Sequence, residues 1–226
     1  MRAGSKRTWV VAASTLAGAT ALVGVLHAPF ARSLLMRAGG CPMGGARMTA
    51  TESEVGRHMG AQADRGSSPA PARPALGFVL ERTSLADVRA WTKSHRLSCD
   101  EPHPALIVCT KVPAALLGLP AGESAVDDVA LGFNHRDLLV NATTFRSHLT
   151  PDAAASAARQ IASGLASALG PAAAAAGTFD AAHLAQAPAS SVAVLSYRYS
   201  DYVASVSAMN MPEGATVREQ YMSAND

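Results

Sequence analysis

Val129-Ala130-Leu131-Gly132-Phe133-Asn134-His135-Arg136-Asp137-Leu138 is the stretch that decides the fold. Val129, Leu131 and Phe133 alternate with smaller residues, and a strand turns successive side chains to opposite faces, so these three form the apolar side of a half-buried strand. Asn134 to Asp137 are turn formers, which predicts a hairpin into a second strand over Leu138 to Phe145. A two-residue period on both sides of a polar turn points to an antiparallel sheet.

Toward the N-terminus, Ala105 to Val112 is a further β-rich run, preceded by Leu97 to Cys99 and a Pro-broken turn from Asp100 to Pro104. Before them Ser84 and Asp87 stand three apart, as in a capping box. Leu85, Val88 and Trp91 follow at helical spacing, which predicts a helix to about His95. Toward the C-terminus, Thr150-Pro151-Asp152 is a second helix start: an N-cap, proline at the first helical position, and an acid near the positive end of the dipole. Its stripe of Ala158, Ile161, Leu165 and Leu169 ends at Gly170-Pro171. A short helix near Asp180 to Ala187 leads to a strand over Val192 to Tyr199, a turn at Ser200-Asp201, a strand over Tyr202 to Met209 and a last short strand over Thr216 to Tyr221. The expectation is an α+β domain of two α-β-β-β units sharing one antiparallel sheet, with both helices on one face.

That domain accounts for residues 75–226 of 226. Ahead of it, Arg2, Lys6 and Arg7 form a cationic n-region in residues 1–8, followed over residues 9–30 by an uncharged apolar run. About 20 apolar residues at 1.5 Å rise span a hydrocarbon core of roughly 30 Å. The segment is expected to anchor the chain in the inner membrane with the domain in the periplasm; the alternative is secretion after signal cleavage. Lys6-Arg7 is a loose form of the twin-arginine pattern, and Ala38-Gly39-Gly40-Cys41 a loose form of a lipoprotein site. Residues 31–74 collect Gly, Ser, Pro and Arg and are expected to form a flexible linker. Within it Cys41, Met43, Met48, His58 and Met59 are soft donors, a set that outside the cytoplasm suits copper or haem, with Met36 nearby. The competing view is chance scatter, with no cofactor.

Cys99 and Cys109 flank a turn, and an oxidising compartment makes a disulfide the first expectation. The alternative takes His95, Cys99, His103 and Cys109 as a zinc or copper site. Signatures of nucleophilic, metalloprotease, haem-attachment or phosphate-loop chemistry are missing from the sequence, so no catalytic residue is assigned. His135, Asp137 and His148 at one sheet end, and Asp127-Asp128, are weaker candidates better explained as solvated charges. Tyr197, Tyr199 and Tyr202 form the one aromatic cluster, to be either core or a small interaction patch. Net charge is +2 with scattered basic residues, which argues against a nucleic-acid partner. Together these point to a membrane-anchored, non-catalytic binding module contacting an envelope protein, with metal or haem handling and an unrecognised hydrolase as alternatives.

Overall fold

The structure, a computed structural model, describes residues 59–60, 63–119, 126–187 and 190–225. Ser84 begins helix α1 (Leu85–Ser94) as expected: its hydroxyl accepts from the Asp87 amide while the Asp87 carboxylate accepts from the Ser84 amide. Leu85 and Val88 are buried, and Trp91 meets Phe78 edge-on with centroids 5.1 Å apart. Four strands follow: β1 (Ser98–His103), β2 (Leu106–Val112), β3 (Val126–Phe133) and β4 (Leu139–Leu149), with a 3-10 turn at Ala114–Leu117.

The second half repeats this order. Thr150 caps α2 (Pro151–Leu169) by accepting from the Ala153 amide, with proline in the first turn. After it come β5 (Ala174–Ala176), the short α3 (Ala181–Leu184), β6 (Ala193–Arg198), β7 (Tyr202–Met211) and β8 (Gly214–Ser223). All described strands lie in one antiparallel sheet of order β1-β2-β3-β4-β8-β7-β6-β5. Each half is thus a helix and a four-stranded meander, where three strands were expected. The halves meet where β4 pairs with β8.

Three of the differences have simple causes. β1 contains Asp100, Glu101 and Pro102, which mark it as a turn in sequence but are tolerated on an edge strand whose outer side needs no partner. β5 is three exposed alanines and carries no period at all. The strand expected to be short and last, β8, is ten residues long and central. Its inward row of Ala215, Val217, Glu219 and Tyr221 is interrupted by an acid, which hides the alternation.

That inward row, with Tyr202, Ala204, Val206 and Ala208 of β7 and Ala142 and Thr144 of β4, is set by the pairings Val206↔Glu219, Ala204↔Tyr221 and Thr144↔Glu219. Helix α2 packs on β4, β7 and β8. Ala154, Ala155 and Ala158 are buried there, and small residues let the helix lie close to the sheet. Ile161, Leu165 and Leu169 complete the contact, each worth about 1.5 to 3 kcal/mol of burial. Leu85 and Val88 of α1 join the same cluster. The other row of β4 and β8, with Asn141, Thr143, Arg218 and Gln220, is linked by side-chain hydrogen bonds such as Gln220 Nε2 to Asn141 Oδ1 at 3.2 Å.

Residues 64–74, part of the stretch expected as linker, lie against the β6–β7 turn. The Gly66 amide donates to the Tyr199 carbonyl at 3.1 Å, Ser200 to that of Ser68 at 2.8 Å, and Ala70 to the Asp201 carboxylate at 2.8 Å. Beyond them, the Glu81 amide donates to Leu139 O and the Leu139 amide to Thr83 O. Residues 9–30, expected to span the membrane, lie outside the described residues; among those described, no helix is long and apolar enough to cross one.

Candidate functional site

A cleft of about 280 Å³ opens between α2 and the turn that ends the 3-10 segment. One wall is α2, where Gln160, Gly164 and Ala168, four apart and so on one line of the helix, flank the buried Ile161 and Leu165. The other wall is Pro74, Gly118 and Leu119. Gly118 has φ 66°, a left-handed conformation that glycine adopts without steric cost and that ends the 3-10 turn. Glu219 and Tyr221 of β8 form the floor.

The floor is a linked set of polar side chains. Glu219 is 3% and Arg146 7% exposed, and Arg146 Nη1 stands 3.7 Å from Glu219 Oε2. Thr144 Oγ1 donates to the same oxygen at 3.3 Å, and the Tyr221 hydroxyl donates to Oε1. Tyr221 stacks on Tyr202 with centroids 6.5 Å apart, and the Tyr202 hydroxyl donates to the Pro74 carbonyl at 2.6 Å. The cleft wall at Pro74 is therefore pinned to the floor. Burial, reinforced by the negative charge of Glu219, pushes both tyrosine hydroxyls far above their ordinary range. They stay protonated and act as donors. The pairing of a buried cation with a buried anion leaves the floor without net charge, and removing either partner would strand the other.

The residues singled out in the sequence fall elsewhere. Cys99 and Cys109 are directly opposite on β1 and β2 and form a disulfide, with Cα atoms 4.0 Å apart. Their sulfurs are thereby taken from any zinc or copper site with His95 and His103, and the described residues hold no cluster of metal-ligating type. His95 Nδ1 instead lies 2.9 Å from the Trp91 carbonyl. Tyr197 and Tyr202 are 2% and 0% exposed, so their rings belong to the core and present no surface to a partner. Tyr199 is half-buried and its hydroxyl donates to the Leu169 carbonyl at the end of α2. Of the copper or haem set, Cys41, Met43, Met48 and His58 lie outside the described residues, and Met59 is exposed.

His135 and Asp137 sit in the β3–β4 turn and His148 at the far end of β4, about 35 Å away along an extended strand. They do not converge. Asp127 pairs with Lys111 and accepts from the Ser147 amide at 2.7 Å, while its neighbour Asp128 points to the other side of the sheet. Arg146, Gln160, Gly164, Glu219 and Tyr221 were not singled out. The available signal was parity: Glu219 and Arg146 are charges on rows whose other members, Val217 and Tyr221 or Ala142 and Thr144, face inward. Comparison with protein-family models, with curated proteins and with solved structures finds no match to this chain.

Proposed function

We propose that this chain is a non-catalytic binding module of the cell envelope, tethered by residues 9–30, that holds a small ligand in the cleft beside α2. The observation that carries the reading is the cleft itself, with apolar side chains from Pro74, Leu119, Ile161 and Leu165 on its walls and a polar network at its floor. A binding role fits the floor better than a catalytic one. Glu219 is held by Arg146, Thr144 and Tyr221, and Tyr221 gives up its proton with difficulty, which suits orientation and not proton transfer. The Cys99–Cys109 bridge is consistent with a domain outside the cytoplasm.

The test is mass spectrometry of an organic extract from the full chain, purified from its native envelope beside a Gly164→Leu variant. A compound enriched with the wild type and depleted with the variant supports the module; identical extracts contradict it. A reporter fused behind residue 75 should be active only outside the cytoplasm, and activity confined to the interior would remove the envelope assignment.

A further inference from the structure

We infer that the cleft beside α2 selects a neutral, largely apolar small molecule and rejects ligands of either charge. This rests on the reading of the cleft as a binding site and adds the chemistry of its occupant.

The first support is Gly164. Glycine inside a helix costs about 1 kcal/mol relative to alanine. At this position a Cβ would meet nothing within 4 Å, so neighbouring atoms do not demand glycine. What the missing side chain does is keep the helix wall of the cleft low. Ala168, one turn on, continues the same small surface.

The second support is charge. Among the described residues lining the cleft only Glu219 is charged, and Arg146 lies 3.7 Å from its carboxylate. A carboxylate ligand would be desolvated beside Glu219, and an ammonium ligand beside a carboxylate already balanced by a cation. Among the described residues neither finds a countercharge that offsets the loss of water. The other described polar lining groups are neutral: the Gln160 amide at the rim and the Tyr221 hydroxyl at the floor. The walls from Pro74, Leu119, Ile161 and Leu165 are apolar. The volume, about 280 Å³, is at the small end of ligand pockets and fits one ring with a short tail.

The sequence supplies a direct reporter, because Ile107 and Ile161 are its two isoleucines. Ile161 lines the cleft, while Ile107 is buried in β2 and does not. The full chain, methyl-labelled at isoleucine in a membrane mimetic, is titrated with phenylbutanol, phenylbutylamine and phenylbutyrate, which share an apolar body and differ in head-group charge. Phenylbutanol is expected to shift the Ile161 signal, leave Ile107 in place, and bind at least about tenfold more tightly than either charged probe. Gly164→Leu should weaken phenylbutanol by about tenfold or more with the Ile107 signal unchanged, showing that the fold is intact. Gly164→Ala should have a smaller effect in the same direction. If either charged probe moves Ile161 at the same or lower concentration, the neutral-ligand inference fails and the binding module stands. If no probe moves Ile161 up to its solubility limit, the cleft is not a binding site and both fail.

Discussion

The two halves of the sheet follow the same order of elements and are secured in different ways. In the first half the edge strand β1 is fastened to β2 by the Cys99–Cys109 bridge and carries Asp100, Glu101 and Pro102, residues that discourage further strand pairing. Its helix α1 has ten residues, Leu85 and Val88 of them buried. In the second half the edge strand β5 is three exposed alanines with no cross-link, while its helix α2 has nineteen residues and covers the junction of both halves. Covalent fastening thus accompanies the short helix, and helix burial the bare edge. The cleft lies on the α2 side, where a long helix bridges strands of both halves and leaves a gap beside its Gln160–Ala168 line.

The comparison breaks most easily at the junction. Arg146 of β4 and Glu219 of β8 belong to different halves, and replacing either alone by alanine leaves a buried charge without its partner. Arg146→Ala and Glu219→Ala should each cost about 3 to 5 kcal/mol in a denaturant titration. The paired change Arg146→Met with Glu219→Leu should recover much of that loss. A full loss that persists in the paired variant would mean that the two side chains are not coupled.

Next in size is the bridge. Cys99→Ala with Cys109→Ala opens a loop with a sequence separation of 10 and should cost about 2 to 3 kcal/mol. Hydrogen exchange should then quicken in β1 and β2 and stay unchanged in β6 and β7. Uniform acceleration across the sheet would show that the bridge secures the whole domain and not one half.

The caps should be close to equal, which sharpens the comparison from the other side. Ser84→Ala and Thr150→Ala each remove a side-chain acceptor from a helix N-terminus and should each cost about 1 kcal/mol. A much larger effect at Thr150 would mean that α2 stability depends on its start more than on its buried stripe.

The smallest effect concerns acid. Burial alone would raise the Glu81 carboxyl, but hydrogen bonds from Ser223 and Arg73 outweigh it and hold the group below its ordinary value. Asp127 behaves alike: burial opposes, and Lys111 with the Ser147 amide prevails. Folded values below the unfolded ones mean that both groups add stability above the ordinary carboxyl range, and that the gain is lost as pH falls through the folded values. Glu81→Gln, which touches the ties between residues 73–81 and the C-terminus, and Asp127→Asn should each flatten the acid limb of a stability profile. An unchanged limb would remove the assignment.

How much of this was legible follows from what kind of signal each element carries. Helices α1 and α2 were readable because their caps are local chemistry: Ser84 with Asp87, and Thr150 with Pro151, act within three residues. The β3–β4 hairpin was readable because its apolar row is uninterrupted. β1 and β5 were not, since an edge strand can tolerate Pro102 and a three-residue strand has no period. The cleft was hidden for a further reason. Gln160 and Gly164 stand far from Glu219 and Tyr221 in sequence, and the two pairs become neighbours only when β8 takes its place at the centre of the sheet. Glu219 on an inward row was the visible trace, and it made β8 look shorter than it is.

The most direct test of an exported domain with an occupied cleft is labelling by a membrane-impermeant maleimide, in a chain carrying Cys41→Ser and Gly164→Cys. Ser156→Cys, exposed on α2 one turn before Gln160 and outside the cleft lining, serves as reference. On spheroplasts the account predicts ready labelling at 156. Position 164 should react at least about tenfold more slowly than 156, the protection vanishing once the purified chain is stripped of ligand. Labelling at 156 only after lysis, or a ratio of rates that is the same before and after stripping, would contradict it.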